Sequence, residues 1–171
     1  MQRFVIAATA ALALAFGPAA AMAQVKTLAA GKAWSAYSMP DKSGPICYLV
    51  GKPVKSTPAN ATRGSVDAMI SHRVGEQAWY VVTFNLGYAA KPDAKAELAI
   101  DGKKFALFID KDAAWAPDST SDKIIALALS RGKTATLKAV SARGTATTDT
   151  YNLAGFGDAL KTIDTACKAP R

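Results

Sequence analysis

Apolar and polar residues alternate with period two in short runs along most of this chain, and turn clusters separate the runs. That spacing predicts half-buried strands. Ala33–Met39 puts Trp34 and Ala36 on one side and Ser35 and Tyr37 on the other. Pro40-Asp41-Lys42-Ser43-Gly44-Pro45 turns the chain, and Ile46–Lys52 returns as an apolar strand to complete a hairpin. In Gly64–Arg73, Val66, Ala68, Ile70 and His72 share one side against Ser65, Asp67, Met69 and Ser71. Val74–Gln77 reads as a turn. Ala78–Leu86 is dense in aromatic and β-branched residues and apolar on both faces, which predicts a central strand. Asp101-Gly102 between Ala96–Ile100 and Lys104–Ile109 predicts a tight hairpin, because both central residues must accept positive φ. Thr134–Ser141 and Thr145–Leu153 predict another hairpin across Arg143-Gly144. Gln24–Lys32 reads as a lead-in, Pro53–Ala61 as a connection, and Asp110–Asp118 as a loop around Trp115 and Pro117.

Two stretches switch to helical spacing. Ser119 with Asp122 resembles a capping box, Arg131 sits in the last turn, and Gly132 fits the position past a helix end. Ile125, Leu127 and Leu129 also alternate like a strand, but the caps favour a helix over Ser119–Arg131. From Gly155 onward, Phe156, Ala159, Leu160, Ile163, Ala166 and Cys167 form one apolar stripe, while Asp158, Lys161, Thr162, Asp164 and Lys168 face out. The whole pattern predicts a mainly β fold. We expect an antiparallel sandwich or roll of about eight strands, a short helix near 120–131, and a C-terminal amphipathic helix over one sheet or one open end.

The first 23 residues stand apart from this pattern. Arg3 supplies a positive charge, Phe4–Phe16 is apolar, Gly17-Pro18 breaks it, and Ala21-Met22-Ala23 offers small residues to a signal peptidase. This is the layout of a Sec-type signal peptide cleaved after Ala23. An uncleaved anchor fits less well, since a bilayer needs about 20 apolar residues. Residues 24–171 would then form a single domain, periplasmic or secreted, with no transmembrane anchor.

Export changes the meaning of the two cysteines, Cys47 and Cys167. An oxidising compartment permits one internal pairing, and Cys167 lies on the apolar stripe of its helix, where a strand-borne Cys47 could meet it. Two buried thiols or an intermolecular bridge are the alternatives. Charge changes the picture similarly. The chain carries a formal +8, which falls to +7 without Arg3, and the cations are dispersed. A basic exported surface suits an envelope protein or an anionic glycan better than nucleic acid.

Candidate chemistry is sparse. His72 is the one histidine, and Ser71 beside it points to the opposite face of a strand, which argues against a serine–histidine pair. No zinc ligand set converges in the sequence. Asp110, Asp112, Asp118 and Asp122 lack the spacing of a calcium loop. Gly132-Lys133-Thr134 lacks the earlier glycine of a phosphate-binding loop. No catalytic, metal or cofactor site is expected. Trp115, in its loop, together with His72 and Arg143, are the weak candidates for interaction.

Several stretches taken in order resemble the invasion-associated locus B family of exported proteobacterial proteins. These are Lys32–Tyr37, Ile46-Cys47-Tyr48, Ser71-His72-Arg73, Ile100-Asp101-Gly102-Lys103 with Phe105, Ala113-Ala114-Trp115-Ala116, and above all Ser141–Leu160. The resemblance implies a small, periplasmic, mostly β domain with no established catalytic residues. Some members carry two cysteines near the first hairpin. Here Ser38 takes the first of those positions, which would free Cys47 for Cys167. The function expected is non-enzymatic binding of another envelope component. An unrecognised periplasmic hydrolase and a secreted or surface host-interaction factor are the alternatives.

Overall fold

Alternating runs longer than a few residues become sheet, except Ile125–Leu129, which is helical. The computed structural model describes residues 24–91 and 93–170, so the expected signal segment and its cleavage after Ala23 lie outside the described residues. Among the described residues there are eleven strands: β1 (Lys26–Ala30), β2 (Trp34–Met39), β3 (Ile46–Gly51), β4 (Lys55–Thr57), β5 (Asp67–Arg73), β6 (Ala78–Asn85), β7 (Lys95–Ile100), β8 (Lys103–Asp110), β9 (Ala113–Trp115), β10 (Thr134–Val140) and β11 (Ala146–Asn152). Two α-helices join them, α1 (Ser119–Arg131) and α2 (Phe156–Cys167), and Val74–Glu76 makes a 3-10 turn.

The strands pair antiparallel in one sheet of order β1-β2-β3-β5-β6-β9-β8-β7-β10-β11-β4. The expected count of about eight is corrected to eleven. β4 and β9 have three residues each, too few to display a period. In β1 a register shift between Thr27 and Ala29 interrupts the alternation. The Asp101-Gly102 turn forms as the sequence requires, with φ of 46° and 91°. The Asp101 carboxylate also accepts the Lys133 and Thr134 amides at 2.8 and 3.0 Å, tying this turn to the start of β10.

The sheet curls so that its two halves share one core. Trp34 on β2 and Phe84 on β6 lie 6.4 and 5.6 Å from the ring of Tyr151 on β11. Trp34 Nε1–H donates to the Asn152 carbonyl at 2.8 Å, joining the second strand to the eleventh. The curl does not complete a barrel, because β1 and β4 remain the two edges of the sheet.

The helices fill what the curl leaves open. Phe156 meets Trp34 edge-on at 4.8 Å, and α2 lies across the inner sides of β2, β3 and β5. Ile125, Ala126 and Leu129 of α1 join the same core beside β6. Where β9 ends, the Val82 amide of β6 has no strand to pair with, and Asp122 of α1 accepts it at 2.8 Å. Burial pushes this carboxyl up to about 6, against the pull of the amide.

Three details of the helix expectations are corrected. The N-cap of α1 is Asp118, which accepts from the Ser121 amide, and Ser119 is the first helical residue. Asp118 competes better for this place because a carboxylate interacts favourably with the positive end of the helix. Gly132 ends α1 as expected, with φ of −81°; a Cβ there would lie 2.8 Å from Ile100 and 3.0 Å from Leu153. On α2, Ala166 is exposed, and Asp164 turns inward to a buried partner.

Cys47 of β3 and Cys167 at the end of α2 form a disulfide, with an S–S distance of 2.08 Å across a sequence separation of 120. Ser38 stands directly opposite Cys47 in the β2–β3 ladder. Closing so long a loop restricts the unfolded chain most. Reduction, or Cys47→Ala with Cys167→Ala, is expected to lower unfolding free energy by up to about 4–5 kcal/mol. Urea titration of oxidised and reduced protein measures this directly, and coincident curves would show that the bond does not stabilise the fold.

Candidate functional site

His72 is fully buried on β5, at the point where the β5–β6 register shifts between Ser71 and Arg73. Opposite it, Tyr80 adopts φ of 60°, uncommon for a bulky residue, and its amide donates to His72 Nδ1 at 3.1 Å. With Nδ1 accepting, the ring proton sits on Nε2 and is donated to Asp164 of α2 at 2.8 Å. Burial holds the imidazole below its ordinary value, against the opposing pull of Asp164, so the pair is a neutral histidine on a carboxylate. Trp79 and Tyr80 pack against the ring at 5.6 and 4.8 Å. Both nitrogens are therefore spent on the bulge and the helix. Cys47 is the cross-strand neighbour of His72, so the disulfide and this hydrogen bond are adjacent ties from the sheet to α2.

Trp115 is on strand β9 rather than in a loop, and it is half-buried. Its side chain lies on the sheet face away from the core. Directly paired residues line up there as Val50, Met69, Thr83, Trp115 and Phe108 across β3, β5, β6, β9 and β8. Tyr37 and Tyr48 stack at 5.3 Å on the same face. Phe108 is 46% exposed, whereas both helices pack on the other side of the sheet.

Arg143 lies at the tip of the β10–β11 hairpin, exposed and with no ion pair among the described residues. It borders a pocket of about 460 Å³ that also includes Arg63, Tyr88, Ser141, Thr145 and Thr147. No local pattern marks Arg63 as a site residue, because its partner comes from β11, far along the chain. Asp149 is fully buried in the core, and Arg63 grips both of its oxygens, with Nη1 donating to Oδ2 at 2.9 Å and Nη2 to Oδ1. The Ser56 hydroxyl donates to Oδ1 at 2.6 Å and accepts from Arg63 Nη2 at 3.0 Å. The hydrogen bond to Asp149 raises the guanidinium further above its already high value.

Backbone pairing brings Tyr88 to this place. The Gly64 amide donates to the Gly87 carbonyl at 2.8 Å, and the Ala142 amide to the Ala89 carbonyl at 2.9 Å. Gly87 has φ of 71°, and a Cβ there would lie 2.8 Å from the Gly64 oxygen, so only glycine allows the two segments to touch. The Arg63 guanidinium then sits 5.8 Å from the Tyr88 ring centre, and the Tyr88 and Thr147 hydroxyls are 2.6 Å apart. Burial pushes the Tyr88 phenol up.

The three candidate residues are thus on separate parts of the fold. His72 lies under α2, Trp115 on the outer sheet face, and Arg143 at the hairpin pocket. Among the described residues no group of three or more His, Cys, Asp or Glu side chains could hold a metal ion. Asp118 and Asp122 serve α1, as its cap and as the acceptor for β6.

Two outcomes follow from these bonds. The unfolded chain takes up a proton near pH 6.5 that folded His72 resists, so this contribution to stability is present above that value and declines as pH falls through it. NMR titration should find a neutral Nε2–H ring that protonates below 6.5; a titration midpoint at or above 6.5 would contradict the assignment. Arg63→Ala leaves Asp149 buried without its partner and is expected to cost about 3–5 kcal/mol in denaturant unfolding, against about 1 kcal/mol or less for a surface pair.

Comparison with curated proteins and with solved structures finds no match. A family model, described as invasion associated locus B (IalB) protein, matches residues 34–164, from Trp34 at the start of β2 to Asp164 on α2. That span takes in ten of the eleven strands, α1 and most of α2, and the chain belongs to the invasion associated locus B family.

Proposed function

We propose that this is an exported periplasmic domain that binds another component of the cell envelope and performs no turnover of its own. The observation that carries this reading is the division of polar groups. Those suited to acid–base chemistry are committed to the fold: His72 through both ring nitrogens, and Asp149 through Arg63 and Ser56. The open pocket at the β10–β11 hairpin offers cations and hydroxyls instead, with no carboxylate or histidine lining it. Such a set can hold a ligand but lacks the base or nucleophile pair a hydrolase requires.

Membership of the family and the signal-like segment at positions 1–23 support export. The formal charge of +8 supports an acidic partner, protein or glycan, since the envelope surface is anionic. Among the described residues no helix is long and apolar enough to cross a membrane.

Crosslinking in intact cells followed by affinity recovery from the periplasm should retain an envelope component, and less of it at high salt, where attraction between exposed charges is screened. Recovery of an uncleaved 171-residue chain from the cytoplasm would overturn the export reading. Turnover of envelope material by the purified domain would overturn the binding reading.

A further inference from the structure

We infer that the hairpin pocket is a binding site for an acidic sugar, a hydroxyl-bearing ring with one carboxylate or phosphate group; this deepens the binding reading and rests on it. The pocket's about 460 Å³ falls within the range of roughly 300–1,000 Å³ typical of small-ligand sites. Its lining is unusual for an apolar ligand. Eight of its ten lining residues carry a side chain that can form hydrogen bonds, and none is acidic.

The two arginines divide the work. Arg63 is neutralised by Asp149, so it contributes geometry rather than net charge. Three of its five N–H groups serve Asp149 and Ser56, which leaves its Nε–H and one Nη1–H. Arg143 has no carboxylate partner among the described residues and supplies the uncompensated charge at the rim. A guanidinium presents parallel donors that match both carboxylate and phosphate oxygens.

The hydroxyls suit the remainder of the ligand. Ser141 Oγ accepts the Thr145 amide at 3.1 Å and so keeps its own proton to donate. Tyr88 and Thr147 form a hydroxyl pair at the wall. Arg63 and Tyr88 are fixed by the buried ion pair, the cation–π contact and the Gly64–Gly87 bond, so little ordering remains for binding to supply. The acid group is placed on Arg143, and the ring hydroxyls meet Ser141, Thr145 and Tyr88.

The test is titration of the purified disulfide-bonded domain by NMR or calorimetry with glucuronate, glucose 1-phosphate and neutral glucose. At least one acidic sugar should bind saturably, and glucose at least tenfold more weakly. Arg143→Gln should weaken acidic-sugar binding tenfold or more while leaving the melting temperature in place, because the side chain is exposed. Lys133→Gln, which removes an exposed cation at the opposite end of β10, should change it less than twofold. Oligogalacturonate titrated against galacturonate distinguishes the source: tighter binding than the monomer assigns the site to a polymer, and equal binding assigns it to a free sugar acid. No saturable binding by either acidic sugar, equal binding of glucose, or indifference to Arg143→Gln would overturn the site. Those results would leave intact an envelope partner captured through another surface, whereas failure of capture with saturable sugar binding would overturn only the larger partner.

Discussion

An antiparallel sheet that curls without closing exposes part of its inner face, and something must cover that part. Here α2 covers it, and the link from α2 to β3 and β5 is the constraint on which the rest of the fold depends. Cys167 is bonded to Cys47, and Asp164 accepts from His72 on the neighbouring strand. One tie is covalent and the other polar. Between them Phe156, Leu160 and Ile163 are held over Trp34, Leu49 and Ile70 in a single core. The same arrangement explains the bulge in β6. Tyr80 departs from the ladder, and the amide that β5 no longer satisfies is taken up by the imidazole.

Local pattern was enough to locate most of this. The β2–β3, β7–β8 and β10–β11 hairpins and both helices follow from period, turn chemistry and caps, because those signals act over a few neighbouring residues. The two edge strands and β9 did not follow. A three-residue segment has no period, and β4 and β9 exist only because β11 and β6 present open ladders to them. The Cys47–Cys167 bond was legible because the helical stripe put Cys167 on the packed side. Asp164 was misplaced by the same stripe. A helical wheel separates apolar from polar residues, but it cannot show that a buried imidazole waits beneath one of the polar ones.

The hairpin pocket was the least legible part, although Arg143 was among the candidates. Its wall joins residues 63, 88 and 147, which come from three separate segments, and Asp149 lies behind Arg63. No short-range rule links an arginine after a cis Thr57-Pro58 bond with an aspartate on a Thr-rich strand. A buried carboxylate in such a strand is costly unless paired, and that cost was the one available hint that a cation had to come from elsewhere. Two buried pairs of charged or titratable side chains thus stand in the fold. One is a neutral histidine–carboxylate bond under the closing helix, and the other is an ion pair under the pocket.

The order of the chain gives the tie between positions 47 and 167 a meaning in time. Trp34, Ala36, Cys47 and Leu49 belong to early segments, yet their cover is the final helix. A growing chain can form its first hairpins while still without that cover, and so cannot settle into the finished core until α2 has been made. Placing the tie on α2 makes the docking of that helix, rather than any single hairpin, the event that closes the core.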